Sequence, residues 1–498
     1  MCEKYGEYIL LSKYGNGENG PEKFGHGGCG NVYLAESEIE KDNKRLYVLK
    51  IPKEEEKTDI SQQIYERKSF NNEIKILKLL SNDPYNMYTT KIYGSQEYNL
   101  NEIKNEEIKP FYAMDYFSKG SLFYYYKLKD KVKDKQKKRI TKLLFKKIVK
   151  AVEYLHSKKI CHLDLKPGNI MLDKDYEPII IDFGSAEEFS GTNAEIGNLY
   201  HKKMTKSYKC PEAYVRTENK NKIINGVKAD IFSLGAILFN LVTGEYGFYR
   251  TYSKLQDSED EIYKYIKYKI FDYSSYWKLI EQKYKDEIDF ELSPEFKELY
   301  LSMVAFNPEE RPSIKEILTD NKWLKEINDL NEEEKEQLEE EYRKELSDLF
   351  DNKLKIKYEV LKIGDEMKEY ITRGIESGEY NELFKNENEN LKPKKILDDT
   401  RHINLCIEIK DDLHVIDFMN SLIIGISEDL KGNCKPLDDS LKIKVFFEEN
   451  EEIDDCTMEI ELFEYGTGRY LLEFMRTGGE IQDYYHYFLE IKKMISKN

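Results

Sequence analysis

The strongest constraint on the fold is the stretch HLDLKPGN at residues 162–169, which is followed by IIIDFGSA. In the first stretch, Asp164, Lys166 and Asn169 offer a carboxylate, an ammonium and an amide close together. In the second, Asp182 follows three isoleucines, as expected for an acid at the end of a buried strand. These residue types suit a divalent cation and phosphoryl transfer, a reaction that depends mostly on positioning and charge neutralisation.

A glycine-rich segment, GHGGCGNV, precedes these stretches at residues 25–32. It fits the pattern G-x-G-x-x-G-x-V, in which backbone amides can approach phosphate oxygens because no Cβ intervenes. The pattern alone is a weak signal, but it lies between two predicted strands, which argues against a dinucleotide site. Lys50 ends a later apolar strand, and Glu73 on a predicted helix is its natural carboxylate partner.

The order of these motifs resembles that of the eukaryotic protein kinases over residues 8–325. The resemblance implies an α+β, bilobal protein-kinase fold with a strand-rich N-lobe and a helical C-lobe. It also implies that Glu212 of CPEAY pairs with Arg311, and that Asp230 anchors a helix of the large lobe. Many ordered motifs are far more specific than any one of them alone.

The resemblance assigns catalytic and metal-binding roles to the first two stretches. Asp164 is expected to accept the proton of the acceptor hydroxyl, and Lys166 to steady the γ-phosphate. Asn169 and Asp182 are expected to hold Mg²⁺. The residues expected to bind ATP are Phe24, Gly25, His26, Gly27, Gly28, Cys29, Gly30, Asn31, Val32, Val48, Lys50, Glu73, Met114, Asp115, Phe117 and Met171.

Within the predicted ATP site, the segment FYAMDYFSKGSL joins the two lobes. Met114 stands at the gatekeeper position, and backbone groups of Asp115 and Phe117 are expected to bond adenine. The side chains expected to sandwich the ring are Val32, Val48 and Met171.

The motifs predict an active serine/threonine kinase with protein substrates. Lys166, together with Thr205 ahead of CPE, matches the serine/threonine pattern, with dual specificity as the alternative. Every residue with a chemical role is intact, which disfavours the other class of function, a pseudokinase-type scaffold or interaction protein.

Leu163 departs from the family, which often has an arginine before the catalytic acid. Without a guanidinium there is no bidentate clamp for a phosphate on the activation segment. We therefore expect activity that does not require phosphorylation at Ser190 or Thr192. The alternative is that a nearby base such as Lys202 or Lys203 substitutes for the arginine.

Three further segments are predicted after residue 325: an acidic helical segment (326–380), a polar linker (381–394) and a small α+β regulatory or interaction module (395–498). Asn331 and Glu334 form a helix-start signal for the first. Its narrow apolar stripe predicts a solvated helix resting one edge on the kinase body, with a coiled-coil site as the alternative. The module resembles the kinase-associated domain of some calcium/calmodulin-related kinases in the order of its strands and closing helix.

Apolar periodicity predicts the position of several helices. They lie at 69–81, 140–157, 228–243, 295–306, 313–319 and 331–350, and another closes the chain.

Charge is divided unevenly along the chain. The net charge is −17, and the acidic excess follows residue 325, with 21 Asp+Glu against 11 Lys+Arg in 326–393 and 23 against 13 in 394–498. A basic segment at 127–150 has 12 Lys+Arg against 2 Asp and is read as a solvated loop and helix face. A hypothesis is that the acidic tail folds back onto it. Nucleic-acid binding is not expected, because no aromatic residues interleave with the basic ones in 131–144.

The lengths of the apolar runs and the spacing of the cysteines indicate where in the cell the protein is expected. No run of 18 or more apolar residues is present, so no membrane span is expected. Seven cysteines lie scattered without a CxxC pair. We therefore expect a cytoplasmic protein, with a nuclear one also possible.

Overall fold

The computed structural model divides the chain into two compact units. The central unit comprises residues 46–355, and the terminal unit combines residues 1–45 with residues 356–498. The described residues are 4–11, 23–27, 30–39, 45–52, 60–100, 109–123, 125, 135–191, 193–197, 204–214, 222–248, 262–270, 273–284, 292–349, 359–361, 367, 394–395, 405–409, 415–437, 441–448, 455–464, 470–478 and 481–496.

The central unit opens with an antiparallel sheet in the order β5-β7-β6. Its strands are β5 (Leu46–Pro52), β6 (Ile92–Gln96) and β7 (Phe111–Asp115). Val48 lies opposite Met114, and Lys50 opposite Tyr112, in the β5–β7 register. Because side chains alternate along a strand, these four face the same side of the sheet.

Three short antiparallel strand pairs follow this sheet in the sequence and flank the loops that contain Asp164 and Asp182. They are β8 (Ile160–Cys161) with β11 (Glu187–Glu188), β9 (Ile170–Leu172) with β10 (Pro178–Ile180), and β12 (Glu195–Ile196) with β13 (Ile224–Asn225). The β9–β10 hairpin separates Asn169 from Asp182 in the sequence and brings the two segments side by side.

Helices make up most of the central unit. They are α1 (Ile60–Ser81), α2 (Lys135–Ser157), α3 (Gly226–Thr243), α4 (Tyr263–Lys267), α5 (Ser274–Lys283), α6 (Pro294–Met303), α7 (Lys322–Asn328) and α8 (Glu332–Ser347). The predicted helices at 69–81 and 140–157 are confirmed, but each begins earlier than expected. The segment predicted as a helix at 313–319 overlaps a π-helical stretch, Glu316–Asp320.

Helix α3 lies in the core of the central unit. It begins at the cap Asn225, whose side chain accepts from the amide of Lys228, and it ends at Gly244 in the left-handed conformation. Among the described residues, it is the one helix long and apolar enough to cross a membrane, but nearly all of it is buried inside the unit.

Helix α8 packs against α2 along one edge. The predicted cap is present, since the side chain of Asn331 accepts from the amide of Glu334 and the side chain of Glu334 accepts from the amide of Asn331. Leu338, Tyr342 and Leu346 are buried. The Tyr342 hydroxyl donates to the carbonyl of Tyr176 at 2.6 Å. This packing agrees with the expectation of a helix resting on the body, and it places α8 inside the central unit.

The predicted domain boundaries at 325, 380 and 394 stay predictions. The central unit extends to Lys355, because α7 and α8 both pack on α2. Most of the segment predicted as a linker, 381–394, lies outside the described residues.

The N-terminal part of the terminal unit is an antiparallel arrangement in the order β1-β2-β4-β3. Its strands are β1 (Lys4–Tyr5), β2 (Tyr8–Leu10), β3 (Lys23–Gly27) and β4 (Gly30–Ser37). The glycine-rich segment forms the β3–β4 hairpin, with Gly27 opposite Gly30.

The C-terminal part of the terminal unit is a sheet in the order β14-β16-β20-β19-β18-β17, with β15 beside β19. Its strands are β14 (Glu359–Leu361), β15 (Lys394–Lys395), β16 (Leu405–Ile409), β17 (Asn433–Leu437), β18 (Lys442–Phe447), β19 (Cys456–Glu464) and β20 (Tyr470–Gly478). Helices α9 (Val415–Asp429) and α10 (Ile481–Ser496) share one apolar core with this sheet. The strands and the closing helix predicted for this module are present, whereas α9 is not predicted from the sequence.

Candidate active site

Lys50, Glu73 and Asp182 form an ionic cluster in which Lys50 and Glu73 are buried and Asp182 is partly exposed. The Lys50 ammonium lies 2.8 and 3.0 Å from the two carboxylate oxygens of Glu73, and 2.7 Å from Oδ1 of Asp182. Lys50 and Glu73 are buried, with 2% and 0% of their surfaces exposed. The ion pair predicted between Lys50 and Glu73 is therefore present, and Asp182 joins it from a segment 132 residues away.

Helix α1 is tied directly to the segment that follows Asp182. Ser69 Oγ donates to the carbonyl of Gly184 at 2.9 Å, and Asn72 Nδ2 donates to the carbonyl of Ala186 at 3.2 Å. Both bonds come from the helical turn that ends at Glu73, and they help to fix the face that Glu73 presents to Lys50. Sequence reasoning missed both residues, because a serine and an asparagine on a polar helix face give no distinctive signal.

Asp164 and Lys166 meet at Thr205. Asp164 Oδ1 accepts from both the amide and the hydroxyl of Thr205 at 2.8 Å. Lys166 Nζ donates to the Thr205 hydroxyl at 2.7 Å and lies 3.5 Å from Asp164 Oδ2. Thr205 had been noted only for the specificity pattern, yet it bridges the two predicted catalytic side chains.

Asp230 on α3 holds the segment just before Asp164. Its carboxylate accepts from the amides of His162 and Leu163 at 2.9 and 2.8 Å, and it lies 2.8 Å from His156 Nε2. Leu163 is buried and adopts a positive φ of 64°. Such backbone strain persists where the surroundings over-determine it. The anchoring role expected for Asp230 is confirmed.

The loops bearing Asp164 and Asp182 are joined side by side. The His162 ring bonds the carbonyl of Ile181 at 3.0 Å and lies 5.2 Å from the Phe183 ring. Asp182 itself has a positive φ of 61°. A non-glycine residue in this region is unusual, and such residues concentrate at functional sites.

Burial and Lys50 together set the charge state of the two acids. Burial alone would raise the pKa of Asp182, but the charge and hydrogen bond of Lys50 hold it well below its usual range. Burial raises the pKa of Glu73, and Lys50 opposes that rise. Asp182, held ionised and partly exposed, is therefore suited to bind an additional cation.

Asn169 and Asp182 fit the predicted magnesium site. Asn169 uses its Nδ2 to donate to the carbonyl and to Oδ2 of Asp164, at 2.8 and 3.2 Å. Its Oδ1 is therefore the atom that can offer a lone pair to a cation. The carbonyl of Asn169 also accepts from the amide of Ile181 at 2.9 Å, next to Asp182. Amide and carboxylate oxygens are the hard donors that Mg²⁺ prefers.

The residues predicted to surround adenine are distributed over both units. In the central unit, Val48 and Met114 lie opposite each other, and Met171 pairs with Ser121. Asp115 uses its side chain to accept from the amide of Lys91 and from the Tyr93 hydroxyl, both at 2.8 Å. Its backbone is the part assigned to adenine, as is that of Phe117.

The predicted glycine-loop residues belong to the terminal unit. Phe24, Gly25, His26 and Gly27 lie on β3, and Gly30, Asn31 and Val32 lie on β4. Gly28 and Cys29 lie outside the described residues. The role of these residues in ATP binding stays a prediction.

Glu212 and Arg311 form the ion pair expected from the sequence. The two guanidinium nitrogens lie 2.6 and 2.7 Å from the two carboxylate oxygens of Glu212. Arg311 also donates to the carbonyls of Ala305 and Lys228, both at 2.9 Å. The bidentate geometry ties the segment after Thr205 to the core of the central unit.

Comparison with known proteins places these motifs in a family. Residues 19–324 match the family described as "Protein kinase domain". CBL-interacting serine/threonine-protein kinase 15 of Arabidopsis thaliana is 31% identical over 246 residues, which cover 49% of each chain. Maternal embryonic leucine zipper kinase of Xenopus tropicalis is 30% identical over 219 residues, or 43% of this chain and 28% of that protein.

The alignments cover no more than about half the length of these curated relatives. The family match, by contrast, covers more than half of this chain and includes every residue of the site described above. The chain therefore belongs to the protein kinase domain family.

Proposed function

We propose that the chain transfers the γ-phosphate of ATP to serine and threonine hydroxyls of protein substrates. The observation that carries the proposal is the ionic cluster of Lys50, Glu73 and Asp182, next to a second loop that presents Asp164. An ammonium fixed between two acids is suited to holding phosphates, and an acid on the neighbouring loop is suited to accepting a proton.

Each residue of the site has a distinct role in the proposed reaction. Asp164 orients the acceptor hydroxyl and accepts its proton as the oxygen bonds to the γ-phosphorus. The bond between the γ-phosphorus and the bridging oxygen breaks, and its electrons leave with ADP. Lys166 neutralises charge on the transferred group, while Lys50 steadies the remaining phosphates. Asn169 and Asp182 would hold Mg²⁺, which supplies charge neutralisation on the phosphate oxygens when bound.

Serine/threonine specificity is supported by the contact of Lys166 with Thr205. The Lys166 ammonium and the Thr205 hydroxyl are 2.7 Å apart, so both lie beside the acid that receives the acceptor proton. The curated relative from Arabidopsis is itself named a serine/threonine-protein kinase. Analysis of phosphoamino acids in a degenerate peptide library, with tyrosine peptides included, distinguishes this specificity from dual specificity.

Phosphate transfer in purified full-length protein tests the proposal against the scaffold alternative. We expect labelled phosphate from γ-labelled ATP to appear in peptides, and expect Asp182→Ala and Asp164→Ala each to abolish it. A folded wild-type protein that transfers no phosphate to any library peptide would support a scaffold instead. Transfer that survives both substitutions would show that these residues are not the catalytic ones.

Activity without activation-segment phosphorylation is part of the proposal. Leu163 is buried with 1% of its surface exposed, and it offers no charge at the position where the family often has arginine. The carboxylate of Asp230 and the packing around Leu163 fix this backbone instead. The lack of a guanidinium at this position supports activity that does not depend on a phosphate on the activation segment.

Regulation by the acidic segment is supported by ion pairs with α2. Lys142 lies 2.8 Å from Glu326, and Lys147 lies 3.0 Å from Glu339. Lys147 also bonds Glu177, and its ammonium lies 5.0 Å from the centre of the Tyr342 ring. In these contacts, lysines of the basic segment 127–150 pair with glutamates in the first part of the acidic segment 326–380. We propose that this segment modulates kinase activity through α2.

A further inference from the structure

Tyr112 is placed where it can act on the ionic cluster. It lies on β7, directly opposite Lys50 on β5 and two residues before Met114. Because strand side chains alternate, Tyr112 and Met114 share the face of the sheet that carries Lys50. Neither the catalytic motifs nor the ATP-binding set includes this residue.

The Tyr112 hydroxyl bonds the same carboxylate as Lys50. It donates to Glu73 Oε1 at 2.7 Å, and this oxygen also accepts from Lys50 Nζ at 2.8 Å. Glu73 Oε2 accepts from Lys50 at 3.0 Å. One oxygen of Glu73 therefore has two donors, which come from two neighbouring strands.

The Tyr112 ring is held by its own packing. Only 1% of the residue is exposed, and its ring centre lies 5.6 Å from that of Phe70 on α1. The Lys50 ammonium lies 5.8 Å from the ring centre on the sheet side. The ring thus fills the space between the sheet and the helix that carries Glu73, so the hydroxyl has little freedom to leave the carboxylate.

The hydroxyl acts as a permanent donor. Burial, followed by the negative charge of Glu73, raises the pKa of Tyr112 well above its usual value. The charged groups that face Glu73 are Lys50 from β5 and Asp182 from the segment after β10. Of these, only Lys50 can donate, and it also serves Asp182. Within this cluster, Lys50 donates to both acids, whereas Tyr112 donates only to Glu73.

We propose that Tyr112 is a positioning residue that holds Glu73, and with it helix α1, in the arrangement that orients Lys50 for phosphate binding. The inference rests on the proposed function. A helix position in which Glu73 points away from Lys50 loses the bond from Tyr112 as well as the two from Lys50. The tyrosine therefore shifts the population towards the position seen here, by the free energy of one hydrogen bond to a charged group.

The substitution Tyr112→Phe removes the hydroxyl and keeps the ring. We expect kcat/KM for ATP to fall by about tenfold, as for the loss of one hydrogen bond to a charged acceptor. The matched control is Tyr284→Phe, which also removes a buried tyrosine hydroxyl. The Tyr284 hydroxyl lies outside the ionic cluster and donates to the backbone carbonyl of Tyr246 at 2.7 Å. We expect this control to keep the wild-type kcat/KM.

A double-mutant cycle with Glu73→Ala separates positioning from a general structural effect. If Tyr112 acts through Glu73, adding Tyr112→Phe to Glu73→Ala changes kcat/KM by less than about twofold. A second tenfold fall on the Glu73→Ala background would overturn the proposal. So would a Tyr112→Phe enzyme with wild-type kcat/KM.

Hydrogen–deuterium exchange gives a readout that does not depend on activity. We expect Tyr112→Phe to speed exchange of the amides of α1 in the full-length protein, and Tyr284→Phe to leave it unchanged. Unchanged exchange in α1 would contradict the proposal even if activity fell. Faster exchange in a protein whose wild type transfers no phosphate would support the role of Tyr112 in holding α1 and refute the proposed function.

Discussion

Arg311 and Glu212 form a bidentate ion pair across 99 residues of sequence, with nitrogen–oxygen distances of 2.6 and 2.7 Å. The arginine is almost fully buried. Its guanidinium carbon lies over the ring of Phe232, 4.9 Å from the ring centre. The guanidinium also donates to the backbone carbonyls of Ala305 and Lys228 at 2.9 Å and to that of Phe306 at 3.5 Å. The pair fastens the segment after the catalytic loops to α3 and to the segment that follows α6.

Removing Glu212 should destabilise the protein strongly. We expect Glu212→Ala to lower the free energy of unfolding by about 3 kcal/mol, because it leaves a buried guanidinium without its counter-charge. Asp329→Ala is the matched control, since it removes the partner of the exposed Lys325 and should cost less than about 0.5 kcal/mol. Urea unfolding measures both, and equal losses would contradict the account.

Substitution of Thr205 should lower the rate of phosphate transfer more than it weakens binding of the acceptor peptide. It bonds Asp164 through both its amide and its hydroxyl. We expect Thr205→Ala to lower kcat by about tenfold, because the side chains of Asp164 and Lys166 lose their shared partner. Thr205→Ser keeps the hydroxyl and should retain most of kcat. Steady-state kinetics with one peptide checks both variants, and a serine variant as slow as the alanine one would contradict this role.

Helix α8 should contribute to the stability of the central unit. Leu346 is fully buried, so we expect Leu346→Ala to lower the free energy of unfolding by about 2–4 kcal/mol. Glu333→Ala on the exposed face of the same helix is the control and should change it by less than about 0.5 kcal/mol. Chemical denaturation followed by circular dichroism gives both values. A leucine variant as stable as the control would mean that α8 is not part of the folded unit.

The contacts of helices α7 and α8 with α2 should make the activity depend on salt concentration. The Lys142–Glu326 and Lys147–Glu339 pairs are partly exposed, so salt screens them. If they modulate activity, Glu326→Gln combined with Glu339→Gln should change kcat/KM at low salt, and the difference should shrink at high salt.

Phosphatase treatment should leave the enzyme active. Leu163 stands where a phosphate-binding arginine would be, and the backbone there is held by Asp230. We expect the purified protein to keep at least about half of its kcat/KM after complete dephosphorylation, verified by intact mass. A loss of tenfold or more would show that another base takes the place of the arginine.

The motifs predicted the charged contacts of the site because each motif has one residue type that the chemistry requires. Lys50, Glu73, Asp164 and Asp182 fall into this class. Tyr112 and Thr205 do not, since a tyrosine in a strand and a threonine in a loop are common anywhere. Their roles depend on which atoms they face, and this is settled only by packing. For Tyr112, its position two residues before Met114 was a usable signal, because it fixes the face of the strand.

Helix α9 illustrates the other limit of sequence reasoning. Its stretch FMNSLIIGIS is apolar on nearly every side, so it has no clear helical stripe. In the structure, Phe418, Met419, Leu422, Ile423 and Ile426 of this helix are buried in the core that it shares with the sheet and α10. The alternation of strands β16, β18, β19 and β20 was readable because one face of that sheet packs on the helices.

Single-turnover transfer by Asp164→Asn tests the central claim most directly. With enzyme in excess over γ-labelled ATP and saturating peptide, the account predicts that the rate of the chemical step falls by about 10²–10⁴-fold, as expected for loss of a proton acceptor. ATP affinity, measured separately by equilibrium binding, should stay within about threefold of wild type, because the substitution keeps the shape of the side chain. An Asp164→Asn enzyme that transfers phosphate as fast as wild type would contradict the account.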